Sequence, residues 1–288
     1  YLRNLAIRFE MIRNLINTKK EQSDTGFRYR GDGNTRIENL TDAVFAFSIT
    51  LLVISSEVPK TYIELETSMY GFVGFIACTM MLFGIWNSHN EFFLRYGLTD
   101  KLTKSLNFLF LFLLLFYIYP LKYLFSFIGT LIYLKIKMAL GDQSEALMIK
   151  MEELSLSNMN TEQWADLMVR FGIAIFCIYL IFSLFYINAL RKKEELKLDK
   201  LEIYETKTFM HCYFFVMTIS VISMAVVLLF GGYQSDTAGL VYISIAIFIP
   251  IYKKERTKRY IRKQKEAEEK AEKELIEAQT KKDKKPTP

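Results

Sequence analysis

The chemically capable residues of this chain gather around one short stretch, Arg36-Ile-Glu-Asn-Leu-Thr41-Asp42, which opens an apolar segment. Asp42 sits at the edge of that segment, where a carboxylate needs a partner. Arg36 precedes it by six residues, about one and two-thirds turns, so the two do not face each other on one helix. Partners must come from other elements. Trp86, Asn87, Ser88 and His89 close a second apolar segment, and Asn107 opens a third. A network of Arg36, Asp42, His89 and Asn107, lidded by Trp86, would satisfy these groups at one depth. The plainer alternative is that such a network only locks three helices together.

Further along the first segment, Phe47, Thr50, Leu51 and Ile54 recur at i, i+3, i+4 and i+7, a single helix face. By spacing alone, an ordinary packing stripe is the stronger reading. The functional reading is a pore built by symmetry from several copies. Apolar rings would gate it by dewetting, and a ring of Thr hydroxyls would replace part of an ion's hydration shell. Other chemistry finds little support. His89 and His211 are the two histidines and fall in different segments. Cys78, Cys177 and Cys212 each lie inside an apolar run, with no CxxC pair and no Cys/His cluster. No catalytic constellation, metal-ligand spacing, cofactor motif or disulfide framework is expected. Neither inverted repeats nor paired broken helices mark a secondary transporter.

The elements that must position these residues are apolar runs. Hydrophobic residues make up 51% of the 288 residues, and they gather at 40–58, 69–93, 106–134, 167–190, 209–230 and 240–252. Runs of about twenty residues cross a hydrocarbon core of about 30 Å as helices. A lone charge there costs at least ~2.5 kcal/mol, and charges fall mostly between the runs. Lys122 and Arg170 are the main exceptions. The third run is long enough to imply a tilt, a kink at Pro120, or an extension beyond the bilayer.

Loop charge orients the runs. Lys/Arg-rich segments before run one, between runs two and three, between four and five, and after six alternate with poorer ones. The expected fold is therefore all-α, a polytopic membrane protein with six transmembrane helices and both termini cytoplasmic. The loop at 135–166 breaks the trend mildly. The net charge of +6 is read as basic loops facing an anionic leaflet, not as nucleic-acid binding. Three parts are expected: a basic cytoplasmic arm at 1–35, a six-helix domain at 36–256 and a charged cytoplasmic tail at 257–288. Within the arm, residues 2–16 suggest a short amphipathic helix, and 26–34 a flexible turn. The tail is rich in helix formers without an apolar stripe. It reads as a solvated helix, or as an arm that binds a protein partner.

The order of these features resembles the transmembrane protein 175 family of potassium channels. An Arg, three residues, a hydrophobic–hydroxyl–Asp triplet (Leu40-Thr41-Asp42), then an Phe-Ala-x-x-Ile-Thr-Leu-Leu-Val helix carry the likeness. Trp86-x-x-His89, Asn107-Phe-Leu-Phe-Leu and Pro120 continue it, so residues 36–125 match well. The resemblance implies a pore lined by the first helix, with no re-entrant filter loop. One six-helix repeat implies the prokaryotic kind: a homotetramer in the cell membrane, passively conducting K+. It further implies that Phe47 forms the innermost constriction, Thr50 the hydroxyl ring tied to potassium preference, and Leu51 and Ile54 the outer constrictions. Arg36, Thr41, Asp42, Trp86, His89 and Asn107 would hold the pore helix. Leu40 and Thr41 stand where the family has Phe and Ser, and Phe47 where it has a smaller aliphatic residue. Four Phe rings at one level narrow a pore, so a non-conducting scaffold or accessory subunit is the alternative function.

Overall fold

The computed structural model describes residues 26–31, 35–54, 59–69, 71–141, 143–156, 160–231 and 235–283. The expected amphipathic helix at 2–16 lies outside them. Within them the secondary structure is helical: α1 (Arg36–Ile54), α2 (Tyr62–Met69), α3 (Phe72–Tyr96), α4 (Lys101–Ala139), α5 (Glu145–Leu156), α6 (Thr161–Arg191), α7 (Lys200–Phe230), α8 (Ser235–Leu240) and α9 (Ile243–Asp283). The described residues up to Tyr242 form one compact unit and those from Ile243 a second.

Helix starts follow local polar chemistry. Asp100 caps α4 by accepting from the Leu102 N–H at 3.2 Å. Asn160 with Gln163, and Asp199 with Glu202, form reciprocal capping boxes at the starts of α6 and α7. Each satisfies backbone donors that a helix start leaves open. At the end of α3, Gly97 takes the left-handed conformation at φ 57° and donates to the Phe93 carbonyl.

Among the described residues, four helices, α3, α4, α6 and α7, are long and apolar enough to cross a membrane. At 39 residues, α4 spans about 58 Å and outruns a bilayer core, continuing through Pro120 as one helix. It presents Phe108, Phe112, Phe116, Tyr119 and Tyr123 outward. An exposed aromatic stripe of that length suits lipid, not water. The helix α9 joins the sixth apolar run to the tail without a break, so the boundary expected at 256–257 falls inside one helix.

In the first unit, α3 pairs with α4, α4 with α6, and α6 with α7, while α1 lies against α3 and α4. Aromatic rings fill the core: Phe92 stacks on Phe185 at 4.8 Å, and Tyr186 on Phe209 at 5.4 Å. Gly74 of α3 and Gly129 of α4 let the two backbones touch. A Cβ on Gly74 would collide with the Phe125 carbonyl, and one on Gly129 with the Gly74 backbone. Near the same end, Leu134 of α4 and Leu147 of α5 make a separate small cluster, and α5 packs against α2.

The expected flexible turn at 26–34 is a docked strap over its described part, 26–31. Phe27 is fully buried, with the Arg95 guanidinium 4.4 Å above its ring. Arg28 and Arg30 converge on the buried carboxylate of Glu202 at 3.1 and 2.6 Å. The Arg30 and Gly31 amides both donate to the Leu94 carbonyl. A Cβ at Gly97 would meet the Arg30 carbonyl at 2.6 Å, so glycine is needed there twice, for its φ and for the strap. Two Arg–carboxylate contacts fix an otherwise turn-like sequence.

Candidate functional site

The site is built on α1, which has two faces. Thr41, Phe45, Ser48 and Leu52 are buried against α3 and α4. Asn39, Leu40, Ala43, Phe47 and Thr50 point away from the chain's own core. Phe47 is 56% exposed. That decides against a stripe packed within the chain: the face carrying Phe47 and Thr50 meets lipid or another copy. Leu51 is half-buried at its edge. Ile54 closes the helix, and its side chain lies outside the described residues. The Thr50 hydroxyl donates to the Ala46 carbonyl at 2.8 Å. Its proton is thus turned inward, and its lone pairs remain available on the outward side.

The polar residues separate into two groups. In the first, Asn107 Nδ2 donates to Thr41 Oγ at 3.0 Å, and His89 Nε2 meets Asn107 Oδ1 at 2.7 Å. Thr41 Oγ in turn donates to the Ile37 carbonyl at 2.9 Å. Because Oδ1 only accepts, the His89 proton sits on Nε2. The bonds therefore run in one direction, from α3 through α4 to the backbone of α1. All three side chains are almost fully buried, and Phe110 stacks on the His89 ring at 5.4 Å. In the second group, Trp86 Nε1 donates to Asp42 Oδ1 at 2.8 Å. This bond walls a mostly apolar groove of about 240 Å3 formed with Phe45, Ala46, Ile49 and Phe83. Arg36 does not join either group. It is exposed in the first turn of α1, as its six-residue offset from Asp42 dictates.

Other positioning residues carried weaker sequence signals. Asp100 accepts from Thr103 Oγ at 2.7 Å and from Asn188 Nδ2 at 3.1 Å, which ties the end of α6 to the start of α4. Asp-x-x-Thr before an apolar run is a cap signature; its long-range partner is not. Partial burial pushes the Asp100 carboxyl up. Hydrogen bonds from Thr103 and Asn188 and the charge of Lys192 outweigh that and hold it below the usual carboxylate range. Arg95, in the last turn of α3, donates to Glu91 and, at 2.7 Å, to Glu205 of α7. Among the described residues, no group of three or more His, Cys, Asp or Glu is placed to hold a metal ion.

The site's residues fall inside the part of the chain, 36–117, that matches the family model described as endosomal/lysosomal potassium channel TMEM175. A protein of Marivirga tractuosa named as a potassium channel is 36% identical over 228 residues, covering 78% of this chain and 87% of that protein. The chain belongs to the TMEM175 family. A crystal structure of a Thr-to-Ala variant of the potassium channel MtTMEM175, in complex with a nanobody–MBP fusion protein, resembles it with a TM-score of 0.67. The two are 31% identical over 82% of this chain and 99% of that one. These relatives are ion channels and not enzymes. With four helices fit to cross a membrane, this member of the family is a multi-pass membrane protein.

Proposed function

We propose that the chain is a potassium-permeable cation channel of the cell membrane, in which four copies surround a pore lined by α1. Six spans with both termini cytoplasmic complete the reading: the four long helices, α1, and the apolar start of α9. At 19 residues α1 is about 28 Å long, close to the core thickness.

The single observation that carries the proposal is the outward face of α1. It bears a large aromatic side chain, Phe47, and a hydroxyl, Thr50, one turn on, while its back is pinned by a buried polar chain. A ring of Phe47 side chains excludes water and sets the resting conductance; a ring of Thr50 oxygens offers potassium a partial replacement for its hydration shell. Thr41, Asp42, Trp86, His89 and Asn107 hold the pore helix and do not touch the ion. Potassium is the permeant species and moves down its electrochemical gradient.

The test is the reversal potential of purified protein in bilayers with potassium on one side and sodium on the other. Wild type should favour potassium, and Thr50→Ala should lose most of that preference. A reversal potential unmoved by Thr50→Ala removes Thr50 from the filter. Wild type that assembles but passes no current supports the scaffold alternative, for which the bulk of Phe47 is the motivating feature.

A further inference from the structure

Lys122 is a charged feature of the apolar runs that the pore reading leaves unused; Arg170, the other main exception, is paired within its own helix with Asp166. It lies in the middle of α4, two residues after Pro120 and beyond the residues that match the family model. A lysine in such a run costs roughly 2.5–3.5 kcal/mol at the centre of a membrane helix, so its presence calls for a named partner. The usual outcome is that the side chain snorkels along the helix toward water. Here it reaches sideways instead. Lys122 Nζ donates to the main-chain carbonyl of Leu52 at 2.6 Å.

The position of that carbonyl matters. Leu52 is in the last turn of α1, which ends at Ile54. The last four carbonyls of a helix lack intrahelical donors and carry the negative end of the helix dipole. An ammonium group there satisfies an acceptor and opposes the dipole in one contact. The Leu52 side chain is buried, so it anchors this turn from the core side. Leu51, its neighbour, and Thr50, two residues earlier, sit toward the other side of the same turn. At the opposite end of α1, the Thr41–Asn107–His89 chain does the equivalent work.

Resting on the channel reading, we infer that Lys122 is a positioning residue that clamps the outer turn of the pore helix and so fixes the register of Thr50 and Leu51 in the conduction path. It does not contact the ion. It acts by holding the carbonyl end of α1 against α4.

The experiment compares wild type, Lys122→Arg, Lys122→Met and Lys122→Gln in planar bilayers under potassium/sodium bi-ionic conditions, with the oligomer mass measured on each preparation. Lys122→Met is expected to lower the potassium-over-sodium permeability ratio about threefold or more, the scale of losing a cation at a helix C-terminus, with the mass unchanged. Lys122→Arg, which keeps the charge and a donor, is expected to stay close to wild type. Met keeps most of the bulk of Lys, so a role in packing alone would leave Lys122→Met close to wild type. A Lys122→Met ratio equal to wild type overturns the inference while leaving the channel standing. If Lys122→Met fails to assemble, Lys122→Gln decides in the same way: a similar fall supports the clamp, and a wild-type ratio refutes it. Wild type without current defeats the channel reading instead. The clamp is then read from amide hydrogen exchange in the last turn of α1, expected to be about tenfold faster in Lys122→Gln and unchanged if the clamp is absent.

Discussion

At the scale of single residues, the pore face and the polar chain behind it make separable predictions. Phe47→Ala should raise unitary conductance, because it removes the largest apolar group from the exposed face of α1. It should cost little stability, since more than half of that side chain is exposed in its own chain. A conductance equal to or below wild type would place the narrowest point elsewhere. Asn107→Leu should do the reverse. It removes the acceptor of the buried His89 Nε2 and the donor to Thr41, which keeps its bond to the Ile37 carbonyl; the loss at His89, about 1–3 kcal/mol, should appear as a lower unfolding midpoint in detergent. These residues were legible in the sequence because polar types at the ends of apolar runs are costly and therefore conspicuous. Their pairing was only partly legible. Spacing placed Asp42, His89 and Asn107 at one depth, but depth does not say that Trp86 takes Asp42 while Asn107 bridges His89 to Thr41. The offset of Arg36 from Asp42 was visible from the start. The structure leaves Arg36 exposed, outside the hydrogen-bond chain.

At the scale of elements, the helix contacts explain why α1 is presented as it is. The backbone approach at Gly74 and Gly129 seats α3 against α4 and thereby sets the surface on which α1 lies. Gly74→Ala should force these helices apart at a cost of about 1–3 kcal/mol, read as a lower unfolding temperature. An unchanged unfolding temperature would mean the contact is more adaptable than its geometry implies. At the other end of α4, Asp100 makes the bundle acid-sensitive. A carboxylate held below its unfolded pKa contributes stability that is full above the unfolded value and is lost as pH falls through the folded one. Asp100→Ala should therefore cost about 1 kcal/mol at neutral pH, as for a lost helix cap, and the deficit should shrink below about pH 4. A deficit independent of pH would assign the effect to lost packing. The apolar runs predicted these helices well because burial in lipid needs length and little else. Non-local contacts were the illegible part. The strap at 26–31 has the Gly-rich composition of a free turn, and only the three-dimensional approach of Glu202 and Arg95 turns it into a fixed element.

At the scale of the whole molecule, the proposed function sets the exposed face of α1 on a pore shared by several copies. In that proposal the exposed face of α1 meets a symmetric partner, while the aromatic stripe of α4 suits lipid. Composition alone pointed to a membrane, through runs that exclude charge. Copy number is not written in any one segment, and the expectation of four copies comes from resemblance. The most direct test is to measure the mass of the complex in nanodiscs and potassium flux on the same preparation. The expected result is a homotetramer that passes potassium. A single copy held among unrelated proteins, with no flux, would contradict it and leave the fold serving as a scaffold.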